Sequence, residues 1–180
     1  QGAGGMIGPH MVARSAGLLL YRIGDAGGVE VLIAHPGGPF WERKGDGSWS
    51  IPKGEYDEEE DALAAAFREF EEETGLEVPH HDAVFLGELR QPSGKRVTVW
   101  ALEADLDISG AESNTFELEW PRGSGKVREF PEVDRIEWVQ VGLARRMLLK
   151  GQAPFLDRLL EATGAGGGFP REGVTPPSRE

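Results

Sequence analysis

Cysteine is absent from this sequence of 180 residues, which excludes disulfide bonds, catalytic thiolates and cysteine-ligated zinc. Basic residues are scarce: 19 Lys and Arg stand against 31 Asp and Glu, and the formal net charge is -12. Nucleic-acid polymers and anionic membranes are bound by basic surfaces, so we expect neither as a partner. No apolar run is long enough to span a membrane, and the first residues lack the basic and apolar regions of a signal peptide. We therefore expect a cytoplasmic protein.

The chain is long enough to bury a hydrophobic core, and we expect one domain over residues 13–162. Residues 1–12 begin with a Gln-Gly pair and contain a His-Met step, which are typical of a protease site and a cloning junction. This stretch is interpreted as an expression remnant and a disordered start. Residues 163–180 are rich in Gly and Pro and are expected to form a disordered tail.

The central stretch of the sequence is residues 54–76, GEYDEEEDALAAAFREFEEETGL. Asp57 followed by Glu60 fits a capping box, which predicts that a helix opens near Glu58. Apolar residues then recur at helical spacing and predict one buried face. Gly75 can adopt the left-handed conformation that ends many helices, so this helix should stop directly before it.

Three carboxylates share one side of the predicted helix, because Glu69, Glu72 and Glu73 stand at positions i, i+3 and i+4. They repel one another, and Arg68 is the only basic residue in the stretch. A solvated acidic face normally alternates the two signs of charge at these spacings. Clustered carboxylate oxygens instead suit a hard divalent cation, Mg²⁺ or Mn²⁺, which shares its remaining positions with a substrate phosphate.

The same stretch resembles the Nudix box, G-x5-E-x7-R-E-U-x-E-E-x-G-U, in which U is a bulky aliphatic residue. All seven fixed positions are met, by Gly54, Glu60, Arg68, Glu69, Glu72, Glu73 and Gly75. Leu76 fills the last U, and the departure is Phe70 at the first U, which is still large and apolar. An acidic amphipathic surface helix would explain the apolar stripe and the caps, but not agreement at seven spaced positions.

The resemblance implies a fold. Strands are predicted at residues 16–21, 29–34, 49–54, 83–90, 96–102, 115–120 and 134–141, and further helices at 142–150 and 153–162. This order of elements fits the α/β/α sandwich with a mixed sheet that Nudix domains adopt.

The resemblance also implies a hydrolase that cleaves a diphosphate linkage in a nucleoside diphosphate derivative. Mg²⁺ would be held by the Gly54 carbonyl, Glu69, Glu72 and Glu73. Glu72 and Glu73 are the candidate catalytic carboxylates, and the general base is Glu73, another box glutamate or a loop carboxylate. Arg68 and Glu60 are also candidate active-site residues, which we expect to position the box rather than to touch substrate.

Other candidate residues lie in loops. Phe40 and Trp41 follow a Gly- and Pro-rich run, where they could stack on a base or cap the edge of the sheet. Lys53, directly before the box, could hold a substrate phosphate or balance the glutamates. Residues 105–132 form the longest stretch without clear periodicity. In Nudix proteins a base or a further metal ligand often comes from this part of the fold, and the candidates here are Glu112, Glu117, Glu119 and Glu129.

Two features favour different substrates. The segment WSIPKG before the box resembles that of certain dinucleoside polyphosphate hydrolases and nucleoside triphosphate pyrophosphohydrolases, which we favour. Pro92 lies sixteen residues after Leu76, a spacing that resembles the proline marker of ADP-ribose pyrophosphatases, although a proline in a hairpin turn needs no functional reason. ADP-ribose or another nucleotide sugar is therefore the second expectation, and a non-catalytic nucleotide-sensing Nudix module is the third. A small phosphorylated nucleotide is the expected partner, and the choice between monomer and homodimer stays open.

Overall fold

The computed structural model describes residues 13–164, so the predicted expression remnant and most of the predicted tail lie outside the described residues. Within them the chain forms eight strands and three helices. In chain order these are β1 (Arg14–Ile23), β2 (Val29–Pro36), β3 (Lys53–Glu55), α1 (Ala62–Thr74), β4 (Val84–Arg90), β5 (Arg96–Glu103), β6 (Thr115–Glu119), β7 (Val127–Pro131), β8 (Val133–Gln140), α2 (Val141–Met147) and α3 (Pro154–Thr163). No helix within residues 13–164 is long and apolar enough to cross a membrane.

Six of these strands form a mixed sheet in the order β4-β5-β1-β2-β8, with β3 paired to β1. β1 and β5 run parallel, and the other neighbours are antiparallel. The middle of β1 is buried at six successive positions, because this central strand is covered on both faces. β6 and β7 form a separate antiparallel hairpin.

Two hydrophobic cores lie on opposite faces of the sheet. Successive residues of a strand point to opposite faces, and Leu18 packs in one core whereas Leu19 packs in the other. α1 covers the first core, where Phe70 is fully buried in place of the aliphatic residue of the motif. α2 and α3 cover the second, with Phe155 and Leu156 at its centre. The predicted α/β/α sandwich with a mixed sheet is therefore confirmed.

The start of α1 was predicted wrongly, and its end correctly. The helix begins at Ala62 and not near Glu58. Asp57 closes a separate turn, in which its Oδ1 accepts two backbone N–H groups at 3.0 and 3.1 Å. The true N-cap is Asp61, whose Oδ2 accepts a first-turn N–H at 3.0 Å. Gly75 ends the helix with a φ of 68°.

The structure also differs from the sequence expectations in three shorter segments. β7 lies in the stretch that showed no periodicity, and it is mostly exposed, so no buried face marks it in the sequence. In the WSIPKG segment only the last two residues belong to a strand, β3, while Trp49 and Ser50 make isolated bridges. At the C-terminal end α3 continues to Thr163, with Gly164 as its cap, so the order extends slightly beyond the predicted domain.

Candidate active site

A cavity of about 630 Å³ opens where β3, α1 and β6 meet the loop that follows β2. A cavity of this size suits a small-molecule ligand. One part of its wall is polar and is formed by Lys53, Gly54, Glu55, Glu69, Glu72, Glu73 and Glu132. The other part is mainly apolar and is formed by Pro36, Gly37, Phe40, Trp41, Phe116 and Leu118.

Gly54 allows the backbone of β3 to approach α1 closely. In the register of β3 with β1, Gly54 lies opposite Ala16. A Cβ atom added to Gly54 would collide with the carboxylate of Glu69. Any other residue at this position would force the Glu69 carboxylate to move, because that carboxylate fills the space of a Cβ atom. The Glu69 carboxylate of α1 therefore lies directly against β3.

Burial of the carboxylates changes their acidity. Burial raises the pKa of Glu73 to about 8, although the positive charge of Lys53 and a hydrogen bond oppose the shift. In that hydrogen bond the backbone N–H of Lys53 donates to Glu73 Oε2 at 3.1 Å. Burial also raises the pKa of Glu69, and the carboxylates of Glu72 and Glu132 add to this effect. Burial thus disfavours the ionised forms of Glu69 and Glu73, which a nearby cation would stabilise.

Arg68 joins the segment before α1 to the carboxylates of the helix. Its guanidinium donates to both carboxylate oxygens of Glu60, each at 2.7 Å. Its Nη1 also donates to Glu69 at 2.8 Å and to Glu72 at 3.3 Å. The paired geometry raises the pKa of Arg68 and lowers the pKa of Glu60. The structure thus brings Arg68 and Glu60 together, with neither of them on the cavity wall.

The carboxylates fit a hard divalent cation by their chemistry, but not in their present orientation. Within residues 13–164, no three His, Asp or Glu side chains are arranged as they stand to hold a metal ion. Glu69 and Glu72 each direct a carboxylate oxygen to Arg68 Nη1, at 2.8 and 3.3 Å. The donors themselves are oxygen atoms, which Mg²⁺ and Mn²⁺ prefer. Burial, the main cause of the raised pKa values of Glu69 and Glu73, means that an added cation would stabilise their ionised forms.

The predicted substrate-binding residues all lie on the cavity wall. Phe40 and Trp41 belong to its apolar part, and Lys53 lies beside the carboxylates. The ring of Phe40 is 54% exposed and meets Trp120 edge to face, with ring centroids 5.3 Å apart. The ammonium group of Lys44 lies 5.1 Å from the Trp41 ring. Both aromatic rings therefore remain available to a planar ligand.

Glu132 is a site residue that sequence reasoning missed. It lies at the junction of β7 and β8, lines the cavity, and raises the pKa values of both Glu69 and Glu73. None of the four predicted loop carboxylates lines the cavity; they are Glu112, Glu117, Glu119 and Glu129. Glu117 and Glu129 instead face each other across the β6–β7 hairpin. The one usable signal for Glu132 was its position at the end of the stretch 105–132, directly before the final strand.

The two features that favoured different substrates lie in different places. In the WSIPKG segment, Trp49 is only 3% exposed and packs in the second core, so only Lys53 and Gly54 reach the cavity. Pro92 lies in the turn between β4 and β5 and does not line the cavity. It packs against Gly151, where an added Cβ atom would lie 3.2 Å from the proline ring.

The profile of a protein family described as the NUDIX domain matches residues 11–160 of the chain. Among solved structures, an Ap4A hydrolase from C. elegans is 24% identical, with a TM-score of 0.55, and the match covers 87% of this chain and 100% of that chain. The Nudix hydrolase RenU from M. smegmatis is 26% identical, with a TM-score of 0.52 and coverages of 87% and 89%. The NUDIX domain of Shewanella oneidensis NrtR, solved with ADP ribose, is 15% identical, with a TM-score of 0.59 and coverages of 84% and 88%. No curated protein sequence matches the chain.

The metal-free protein should lose stability as the pH rises from about 5 to about 8. An unfolded glutamate titrates near pH 4.3, whereas the pKa of Glu73 in the folded state is about 8. Over this window the folded state keeps a proton that the unfolded state releases, so a rise in pH favours unfolding. In Glu73→Gln, the loss of stability with rising pH that is due to Glu73 should disappear. The loss that is due to Glu69 should remain. The measurement is the midpoint of thermal unfolding in EDTA across the pH window.

Glu58→Gln is the matched control, because Glu58 is an exposed carboxylate outside the cavity. That variant should keep the wild-type slope. An unchanged loss of stability between about pH 5 and pH 8 in Glu73→Gln would contradict the raised pKa.

Proposed function

Since the chain belongs to the NUDIX domain family, we propose that it hydrolyses a diphosphate linkage in a nucleotide bound beside Glu69, Glu72 and Glu73. The prediction of a Nudix pyrophosphohydrolase is confirmed at the level of the family. The proposal for the site depends on one observation: a single cavity joins an acidic wall to an aromatic wall. The first suits a metal-bound diphosphate, and the second suits a planar base.

Divalent metal ions serve the family generally, and we propose Mg²⁺, with Mn²⁺ as a substitute, for this chain. Glu69, Glu72, Glu73 and the Gly54 carbonyl are the proposed ligands, and Glu69 and Glu72 would turn away from Arg68 to reach the ion. When bound, the ion supplies neutralisation of the diphosphate charge and greater acidity of a water molecule. Lys53 can hold a further phosphate oxygen by its charge. Arg68 and Glu60 keep the start of α1 fixed through their paired hydrogen bonds.

The base that takes the proton from the attacking water is proposed to be Glu132 or Glu73. Glu132 reaches the carboxylate cluster from the β7–β8 junction, separate from α1, so it can act without being a ligand. Glu73 is half-buried and hydrogen-bonded to the backbone of Lys53, which favours a role in holding the ion. Glu132 is therefore the first choice for the base.

Glu72→Gln should lower kcat by roughly 10²-fold or more, because it removes one negative oxygen ligand from the metal cluster. Glu71→Gln is the matched control, since Glu71 is the adjacent helix residue and lies 3.2 Å from His80, outside the cavity. That control should keep wild-type kcat. Steady-state rates with added Mg²⁺ and with EDTA measure the effect, and circular dichroism checks that both variants fold. Full activity in Glu72→Gln would rule out this metal assignment.

Glu132→Gln should lower kcat by roughly 10²-fold to 10³-fold if Glu132 is the base. The Mg²⁺ concentration that gives half of the maximal rate should change little, since Glu132 is not a proposed ligand. Glu117→Gln, a glutamate of the same hairpin region that does not line the cavity, is the control and should behave as wild type. Wild-type kcat in Glu132→Gln would contradict this role of Glu132 and would favour Glu73 as the base.

For the substrate we propose a dinucleoside polyphosphate or a nucleoside triphosphate. Lys53, the lysine of WSIPKG, lines the cavity next to the carboxylates, where it can bind an additional phosphate. Pro92 lies outside the cavity, so the proline marker gives no structural support to ADP-ribose. ADP-ribose and nucleotide sugars remain the second substrate class. The similar folds of an Ap4A hydrolase and of an ADP-ribose-binding NUDIX domain are compatible with either class.

A hydrolysis screen with Mg²⁺ tests this choice. Diadenosine polyphosphates, nucleoside triphosphates, ADP-ribose and nucleotide sugars are offered in turn, and the products are identified by mass spectrometry. We expect the highest kcat/KM for a substrate with three or more phosphates, because an additional phosphate can bind Lys53 while the diphosphate lies beside the carboxylates. A preference for ADP-ribose would overturn the substrate proposal. No turnover of any of these substrates would favour a nucleotide-sensing module.

A further inference from the structure

His35 is a fully buried histidine at the end of β2. Its Nδ1 lies 2.7 Å from Asp134 Oδ1, and its Nε2 lies 2.6 Å from the carbonyl oxygen of Lys44. It directly precedes Pro36 and Gly37, which line the cavity. His35 itself is not on the cavity wall, so it has no contact with a bound substrate.

Both nitrogen atoms of this ring face acceptors. A carbonyl oxygen can only accept a hydrogen bond, so Nε2 carries a hydrogen and donates to Lys44. Nδ1 is paired with the carboxyl group of Asp134, so both ring nitrogen atoms of this buried side chain have a hydrogen-bond partner.

An aromatic ring and two basic residues lie around the hydrogen bond between His35 and Asp134. The ring meets Trp49 edge to face, at 5.2 Å between centroids. From β8, the Arg135 guanidinium lies 5.3 Å from the same indole, and its Nε lies 3.7 Å from Asp134 Oδ1. From the loop after β2, the Lys44 side chain turns away toward Trp41.

The remaining charged side chains of that loop are exposed; they are Glu42, Arg43 and Asp46. Asp134 is therefore the charged side chain that is hydrogen-bonded to the ring.

His35 connects three segments that build the cavity. The first is the end of β2. The second is residues 37–47, here called the aromatic loop, which carries Phe40 and Trp41 and is held through the Lys44 carbonyl. The third is the β7–β8 junction with Glu132, held through Asp134. In addition, the Gly37 N–H donates a backbone hydrogen bond of 2.9 Å to the Glu132 carbonyl, which joins the aromatic loop to the same junction.

We propose that His35 is a positioning residue, whose two hydrogen bonds hold the aromatic loop against the β7–β8 junction in the shape that binds the nucleotide base. Its kinetic consequence depends on the proposed hydrolytic function, but its structural consequence does not. If the bridge is broken, the loop must be ordered when the ligand binds, which weakens binding without altering the carboxylates of α1.

The structural consequence is tested by amide hydrogen exchange in His35→Gln, since glutamine cannot bridge both acceptors. Exchange in the aromatic loop should become roughly tenfold faster, while exchange in α1 should stay at the wild-type rate. His81→Gln is the matched control, because His81 is exposed and makes one contact of 3.2 Å to the Glu103 carbonyl. Unchanged exchange in the aromatic loop of His35→Gln would overturn the proposal, whatever the enzyme hydrolyses.

Asp134→Ala is a second variant, in case His35→Gln does not fold. Its side chain is partly exposed, so the change removes the acceptor without opening a large cavity in the core. It should accelerate exchange in the same loop residues.

The kinetic consequence is a split between KM and kcat. Both variants should raise the KM of the best nucleotide substrate by roughly tenfold and leave kcat within about threefold, because the backbone hydrogen bond between Gly37 and Glu132 still holds the proposed base. The double variant should be no worse than the worse single variant, because both changes break one bridge. A loss confined to kcat, or additive effects in the double variant, would overturn the proposal. Absence of turnover in the wild type would contradict the proposed function, and the exchange experiment would still decide the role of His35.

Discussion

The proposed active site depends on the close approach of the β3 backbone to the carboxylate of Glu69. A side chain at position 54 would displace that carboxylate, because a Cβ atom there would occupy its position. The N–H of Lys53 also reaches Glu73 at 3.1 Å, and the acidic side of α1 lines the cavity. The opposite side of α1 packs on β1 through Phe67 and Phe70. The glycine thus lets Glu69 lie against β3, while the packing of Phe67 and Phe70 orients the helix that carries it.

Features that depend on local spacing were predicted from the sequence. Contacts that depend on how distant segments fold together were missed. Glu69, Glu72 and Glu73 share one side of α1 because helical periodicity places them there, and the sandwich follows from the order of the elements. Glu132 reaches the cavity only because the exposed strand β7 turns back along β6, and no buried face marks β7 in the sequence. The Asp57 side chain does accept backbone N–H groups, as the capping pattern predicted, but it caps a separate turn and not α1.

The proposed binding of a polyanionic substrate by a strongly acidic chain has an electrostatic explanation. The net charge of -12 repels phosphate at long range. Within the cavity, however, burial raises the pKa values of Glu69 and Glu73, so the cluster is stabilised by any added positive charge. Arg68 now supplies part of that charge through its contacts to Glu69 and Glu72. A divalent cation at the proposed site would compete with Arg68 for oxygen atoms of Glu69 and Glu72, and the paired bonds from Arg68 to Glu60 could remain.

The two walls of the cavity are held by different parts of the fold. The acidic wall is built within one helix and the strand before it, so a short motif encodes it almost completely. The aromatic wall is assembled from the loop after β2 and the β6–β7 hairpin, which are far apart in sequence and meet where Gly38 leaves room only for the Phe116 ring. Changes in these loops can alter the fit to a base without moving the carboxylates. This separation explains why the motif identifies the family while the substrate class depends on residues outside it.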